Sequence, residues 1–517
     1  MKFMKVPLRR PLVLIVIAGW GYRPQRNGNA IALAHKPYYD WICREYPRTL
    51  LKASGTRVGL PEGTAGDSQT GYMNIGAGRV VQTDAVKIKQ ALESGAFYSN
   101  PVLKEAMLRA RDSSLHLIGL LSNAEVHASQ ETLFALLRMA KNHNVERVFV
   151  HGILDGKDVP VRTGDVYIEA LEVKMNEIGV GKIATVCGRH YAMDKDENWE
   201  LTARAYTMLV HAEGEKAVSA TFAVRDAFLR GISDEYIQPI VLINTEGNPV
   251  ATIKDGDVVI FFNHRADGMR QLVKALMQSD KFSGMKKPRI HAVCLTEYCR
   301  GLNLHFAFPQ EERQGTLAEV FANYGISNCR IAAEERIQFI TEFFDAGFQA
   351  TNNVEKYIAI KPRNLSNAFA PEKESFKITD AVLWCLEKNE DSVLVVDFDA
   401  PEAAARLGSL EKAIEAVQFV DTCIGAIVER VLKMDGVAII TSTHGNSEEM
   451  LSSSGKPNIA NTTNPVPFHL IDEKSKAMKL RPNRALEDVA PTILEILGIE
   501  KPAEMTGESL ELIDLNE

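Results

Sequence analysis

At 517 residues the chain is longer than one compact core usually organises, so two domains are expected. Its composition, 45% hydrophobic and 24% charged, is that of a soluble globular protein. A net charge of -8 excludes a general nucleic-acid binder, because nothing offsets phosphate repulsion over the whole surface.

In chain order, the first signal is Lys2, Lys5, Arg9 and Arg10 ahead of the apolar run Leu12 to Ala18, an arrangement like that of a signal peptide. The run is short, and Gly19-Trp20-Gly21-Tyr22 follows without a small-residue cleavage pattern, so it reads as a buried first strand. Further short β-branched runs, Arg147 to Val150, Lys182 to Val186, Val258 to Phe262, Val393 to Val396 and Ala438 to Thr441, also read as buried strands. Helical patterns such as Gly164 to Ile178 and Leu410 to Met434 alternate with them, which predicts an α/β protein with largely parallel sheets. Ligands of such sheets bind at the carboxyl ends of strands. The polar loops fall there: Gly19-Trp20-Gly21, Leu154 to Asp158, Gly188-Arg189, Asn263-His264-Arg265 and Ser442 to Asn446. No stretch is long enough to span a membrane. Seven scattered cysteines hold no Cys-x-x-Cys pair, and Cys294 and Cys299 are the nearest two in sequence. An odd, unclustered set predicts reduced thiols and a cytoplasmic setting.

The segment Gly63 to Arg79, with Ser68 at its centre, resembles the nucleophile segment of the cofactor-independent phosphoglycerate mutases of the alkaline phosphatase superfamily. The resemblance covers essentially the whole chain. Frame segments Gly19-Trp20-Gly21, Asn27 to Ala30, Val58 to Pro61 and Asn464 to Phe468 match as well. It implies a discontinuous phosphatase-like domain, residues 1–83 and 314–517, and an inserted α/β transferase-like domain, residues 84–313. Segments Gly78 to Ala91 and Ala307 to Gly315 would connect them. In the family the serine carries a phosphoryl group between two hydroxyls of a glycerate. Two manganese ions activate it and screen the transferring charge.

Carried over by motif, the seven metal-ligand positions are Ala18, Ser68, Glu402, Arg406, Thr443, His444 and Asn461. Ser68 and His444 are unchanged, and Glu402 replaces an aspartate. Ala18 and Thr443 remove both carboxylates of one ion's site. Arg406 and Asn461 remove both imidazoles of the other, and an arginine repels a cation. No cofactor is therefore expected here, although the family holds two manganese ions. Ser68, Glu402 and His444 would then be relics held by backbone geometry, or else the core of a rebuilt metal site. A sharper expectation is that Arg406 sits where an ion once sat, pairs with Glu402, and holds a phosphate without turnover.

The resemblance also implies a substrate pocket of His127, Lys157, Asp158, Arg189, Lys195, Arg265 and, in the phosphatase-like domain, Arg336. Charge is kept there, but Lys157 and Lys195 lose the planar fork of an arginine, and Gly268 replaces a third. The competing reading is a set of surface cations paired with carboxylates. The family's paired glycines become Ala124-Glu125, which predicts a stiffer loop where the family's two domains must close.

The main expectation is a mutase homologue that is catalytically degenerate, with a regulatory, scaffolding or phospho-ligand-binding role. The alternative is an active but divergent mutase, converting 3-phosphoglycerate to 2-phosphoglycerate, or a phosphohydrolase acting through Ser68. Metal content and the effect of Ser68→Ala separate them. A phosphorylated small molecule and a protein partner, such as an active relative, are the partners expected, with neither nucleic acid nor membrane.

Overall fold

The computed structural model describes residues 11–278, 287–299, 301–309, 314–346, 354–361, 371–452 and 454–511. Lys2, Lys5, Arg9 and Arg10 lie outside the described residues. The chain divides into two compact units, Met1–Thr83 with Glu312–Glu517, and Asp84–Glu311. Each is an α/β unit built on its own eight-stranded sheet.

In the discontinuous unit, Leu12–Ile17 forms the centre of the sheet, and all six of its side chains are buried. A strand covered on both faces has no polar side, which is why the run reads Leu-Val-Leu-Ile-Val-Ile without alternation. Val13, Ile15 and Ile17 pack into one core with the long helix Leu410–Lys433. Leu12, Leu14 and Val16 pack into the other with helices Ser68–Ala77 and Val489–Ile496. Val393–Phe398 and Val437–Thr441 flank the central strand in parallel. Ile17 lies opposite Phe398 and Val16 opposite Thr441, so the three strands end together. Asn328–Ala333 continues the sheet in parallel beyond Val393–Phe398. The loops that begin at Ala18, Asp399 and Ser442 therefore leave one edge of the sheet side by side.

The inserted unit repeats the device. Leu115–Leu121 is wholly buried and pairs in parallel with Val148–Leu154 and Val258–Phe261. Leu121 lies opposite Leu154, and Leu154 opposite Gly188, which aligns the strand ends carrying Ser122, Asp155 and Arg189. The edge strand Ile240–Leu242 runs antiparallel to Lys182–Gly188.

Two strands run further than their apolar letters. Val148–Leu154 passes through His151, and Val393–Phe398 through Asp397. Both polar side chains are buried but partnered: His151 bonds to His116 and Thr185, and Asp397 to Tyr72 and Arg336. A satisfied polar group costs a strand little, whereas an orphaned one would end it. The helix read at Gly164 to Ile178 is present over those residues. Two of the seven cysteines meet in space: Cys329 and Cys385, distant in sequence, lie with their sulfurs 4.0 Å apart.

Candidate functional site

Ser68 opens helix Ser68–Ala77, whose start is fixed by a capping box: the Asp67 carboxylate accepts from the Thr70 backbone N–H, and the Thr70 hydroxyl accepts from that of Asp67. Ser68 is 5% exposed, and its hydroxyl lies 3.2 Å from His444 Nε2. His444 comes from the loop after Val437–Thr441 and is itself buried. Gly19, at φ +79°, lets the loop after the first strand pass beside Glu402, whose Cα lies 2.8 Å from where a Cβ would stand. These loops form the first cluster.

Its centre is the Arg336 guanidinium, carried on the turn Glu334–Arg336 after Asn328–Ala333. Arg336 donates from Nε to Asp397 Oδ2 at 3.0 Å and from Nη2 to Oδ1 at 3.1 Å, the paired geometry that gives arginine its grip on a carboxylate. Nη2 also donates to Ser68 Oγ at 3.0 Å, and Nη1 reaches Glu402 Oε2 at 3.4 Å. The ring of Phe339 lies 4.4 Å beneath the guanidinium carbon. Tyr72 donates its hydroxyl to Asp397 Oδ1 at 2.5 Å. Burial disfavours the Arg336 charge, but Asp397 and Glu402 outweigh it and raise its pKa further.

Glu402 is the second hub. Arg406 donates to its Oε1 from Nη2 at 2.6 Å and Nε at 3.0 Å, and His444 Nε2 lies 3.5 Å away. Burial pushes the Glu402 carboxyl up, yet the charges of His444, Arg336 and Arg406 hold it below its ordinary value. The partly buried Asp399 has weaker support, from Arg336 alone. Burial first, then the neighbouring Asp397, pushes it up to about 7.

The expectation for Arg406 needs correction. It does pair with Glu402, but its side chain is 56% exposed. The buried cation of the cluster is Arg336, which the sequence suggested only as a member of the substrate pocket. Asp397, Asp399 and Tyr72 were missed altogether. Two aspartates closing an apolar strand were a usable signal, since carboxylates at that edge need a cation or a proton.

The inserted unit carries a second cluster. Arg189 Nη1 donates to Asp155 Oδ1 at 2.6 Å and to Asp158 Oδ2 at 2.5 Å. Its Nη2 lies 2.9 Å from His127 Nε2, which must therefore accept, leaving the imidazole proton on Nδ1, 3.5 Å from Asp267 Oδ1. Arg265 pairs with Asp267 at 3.2 Å. Ser122 donates to Asp155 at 2.7 Å. Burial pushes Asp267 up, but the His127 hydrogen bond and the Arg265 charge leave it well below the usual carboxylate range. Lys157 and Lys195, expected beside them, are exposed, and neither side chain has an ion pair among the described residues. In the Ala124-Glu125 loop, Glu125 adopts φ +55°. The backbone thus takes a conformation that glycine adopts freely, now carried by a residue with a Cβ.

Known proteins share this architecture throughout. The family model described as BPG-independent PGAM N-terminus matches residues 88–300. The 2,3-bisphosphoglycerate-independent phosphoglycerate mutase of Moorella thermoacetica is 42% identical over 514 residues, covering 98% of this chain and 99% of its own. The chain belongs to this mutase family. A second relative, phosphoglycerate mutase 1 of Methanosarcina acetivorans, is 43% identical and covers 97% of this chain and 98% of its own. The Leishmania mexicana phosphoglycerate mutase, solved at low cobalt concentration, superposes with a TM-score of 0.80 at 25% identity, covering 98% of each chain.

Against a two-metal centre, the donor set of this mutase-family chain does not fit. Ala18 offers no ligand atom. The Thr443 hydroxyl is buried without a hydrogen-bond partner, a neutral group at the position that the resemblance matches to a family carboxylate. The Asn461 amide donates to the Gly66 carbonyl at 2.8 Å, and its oxygen faces Arg406 at 3.4 Å. Glu402 and Ser68 are already held by guanidinium groups. Hard divalent ions want several free oxygens and imidazoles around one point, and here the anionic groups are matched by arginines instead.

Proposed function

We propose that this chain is a phosphoglycerate mutase-family protein that does not run the metal-dependent transfer and acts by binding, as a regulatory or scaffolding protein that recognises a phosphorylated small molecule. The observation that carries this reading is the Arg336 guanidinium, locked on Asp397 and bonded to Ser68. Phosphoryl transfer needs surplus positive charge around the transferring oxygens. In this cluster Arg336 and Arg406 are matched by Asp397 and Glu402, so little surplus remains for a phosphate dianion. His444 Nε2 is shared between Ser68 Oγ, 3.2 Å away, and Glu402 Oε1, 3.5 Å away, so it is not given over to the serine alone. Phospho-ligand recognition falls to the inserted unit, where Lys157 and Lys195 are exposed without an ion pair among the described residues and Arg265 is 44% exposed.

A second reading, an active mutase interconverting 3- and 2-phosphoglycerate through Ser68, is favoured by the curated relatives at 42% and 43% identity over nearly full length. One experiment separates the two. Protein purified with excess manganese is analysed for bound metal and assayed for mutase activity beside Ser68→Ala. The binding reading expects no stoichiometric manganese and no activity above the variant. Two bound ions with turnover lost in Ser68→Ala would establish the second reading.

A further inference from the structure

Away from the Ser68 cluster, three metal-ligating side chains converge inside the discontinuous unit. Cys329 lies on strand Asn328–Ala333, Cys385 on helix Pro371–Lys388, and Asp391 in the connection that leads into Val393–Phe398. One ligand atom from each lies within 4.8 Å of the other two. Both thiols are buried, at 1% and 4% exposure, and both are free. The Asp391 side chain is 7% exposed, and its Oδ1 has no hydrogen-bond partner. Its one ion-pair partner among the described residues is Lys356, 3.4 Å away, whose half-exposed side chain also reaches Glu390 at 3.4 Å.

We propose that Cys329, Cys385 and Asp391 form a binding site for a thiophilic divalent cation of the zinc class. The sulfur spacing supports a shared ion over a covalent bond. Two thiolates about 2.3 Å from a tetrahedral zinc stand roughly 3.8 Å apart, and the sulfurs here are 4.0 Å apart. A disulfide would need them to close to about 2.05 Å. Charge supports it too. Two thiolates and a carboxylate carry one negative charge more than the ion balances, and Lys356 supplies the remaining positive charge. On binding, both thiols release their protons to water, and Asp391, paired with Lys356, supplies oxygen. Solvent fills the fourth position. The ion would tie a strand, a helix and the start of the strand that carries Asp397, without touching Ser68.

Cobalt(II) is the probe, because a thiolate bound to it gives an ultraviolet charge-transfer band that nitrogen or oxygen donors do not. Reduced, chelator-treated full-length protein is titrated with cobalt and then with zinc. The expected result is a band saturating at one equivalent, bleached by zinc. It should be lost in Cys385→Ser, kept in Cys294→Ser, and weakened in Asp391→Asn by about 100-fold in affinity, since even an outer partner of a metal ligand is worth about 10- to 100-fold. Should Cys385→Ser fail to fold, zinc protection of Cys385 from alkylation in the wild type takes its place. No thiolate band, a band that survives Cys385→Ser, unprotected alkylation, or isolation of the two cysteines as a disulfide would each overturn the site.

Discussion

Arg336 decides the character of the Ser68 cluster. It neutralises Asp397, which is 1% exposed and, apart from Arg336, bonds only to the Tyr72 hydroxyl among the described residues. Removing one partner of a buried pair strands the other charge, at a cost of about 3–5 kcal/mol. Arg336→Ala should therefore lower unfolding stability by that amount in urea denaturation, whereas Arg225→Ala, at a half-exposed arginine paired with Asp165 and Glu169, should leave the urea midpoint nearly unchanged. The partner was not legible: the family motif flagged Arg336, but Asp397 lies 61 positions away and reads as the end of an apolar strand. Asp399 gives a second prediction. Its carboxyl is raised from 3.8 to about 7, so the folded state holds a proton that the unfolded state has released. The group's contribution is thus fully present below about pH 4 and is lost as pH rises through 7. Asp399→Asn should gain stability relative to wild type at about pH 8 and much less at about pH 5, measured as paired urea midpoints. Equal differences at both values would contradict the raised carboxyl.

At the scale of elements, the helix Ser68–Ala77 sets where the serine stands. Its capping box uses Asp67 and Thr70, and the Asp67 oxygen that accepts from the Thr70 N–H is 2.7 Å away. Asp67→Ala should cost about 1 kcal/mol, the usual value for a lost cap, and let the first turn fray. Hydrogen exchange at the amides of Ser68 to Tyr72 should quicken while the strand Leu12–Ile17 stays protected. The elements themselves were largely legible, because buried parallel strands announce themselves as apolar runs and Gly164–Ile178 keeps a helical period. Boundaries were missed where a polar residue continues a strand on long-range partners, as His151 does on His116 and Thr185. No local pattern records such partners. The same holds for Cys329 and Cys385, joined only when strand and helix pack. Lys157 and Lys195 show the converse: their motif positions are legible in the sequence, but where long side chains on loops end is not, and here both are exposed.

For the whole molecule, family and α/β architecture were legible from the retained frame, since glycines and apolar runs fix the backbone regardless of which polar groups line the strand ends. What the polar groups do was not, because their meaning lies in how they compensate one another. That compensation predicts how the family's site could be restored. Thr443→Asp alone would bury a carboxylate against Gly71 with no added cation, and should destabilise the protein without binding manganese. The arginines must leave as the ligands arrive. The variant combining Ala18→Asp, Arg336→Lys, Glu402→Asp, Arg406→His, Thr443→Asp and Asn461→His removes both guanidinium groups and supplies two more carboxylates and two imidazoles. Without metal those groups repel one another, so its melting midpoint should fall below wild type. Manganese should raise it again, because an ion at 100 times its dissociation constant adds about 2.7 kcal/mol to the native state. Wild type should show no such manganese response, its carboxylates being held by Arg336 and Arg406. Thermal melts of both proteins with and without manganese test this directly. A wild-type midpoint that rises with the ion would mean that the guanidinium groups yield to metal, and that the Arg336 pairing with Asp397 is one state of a centre that still binds it.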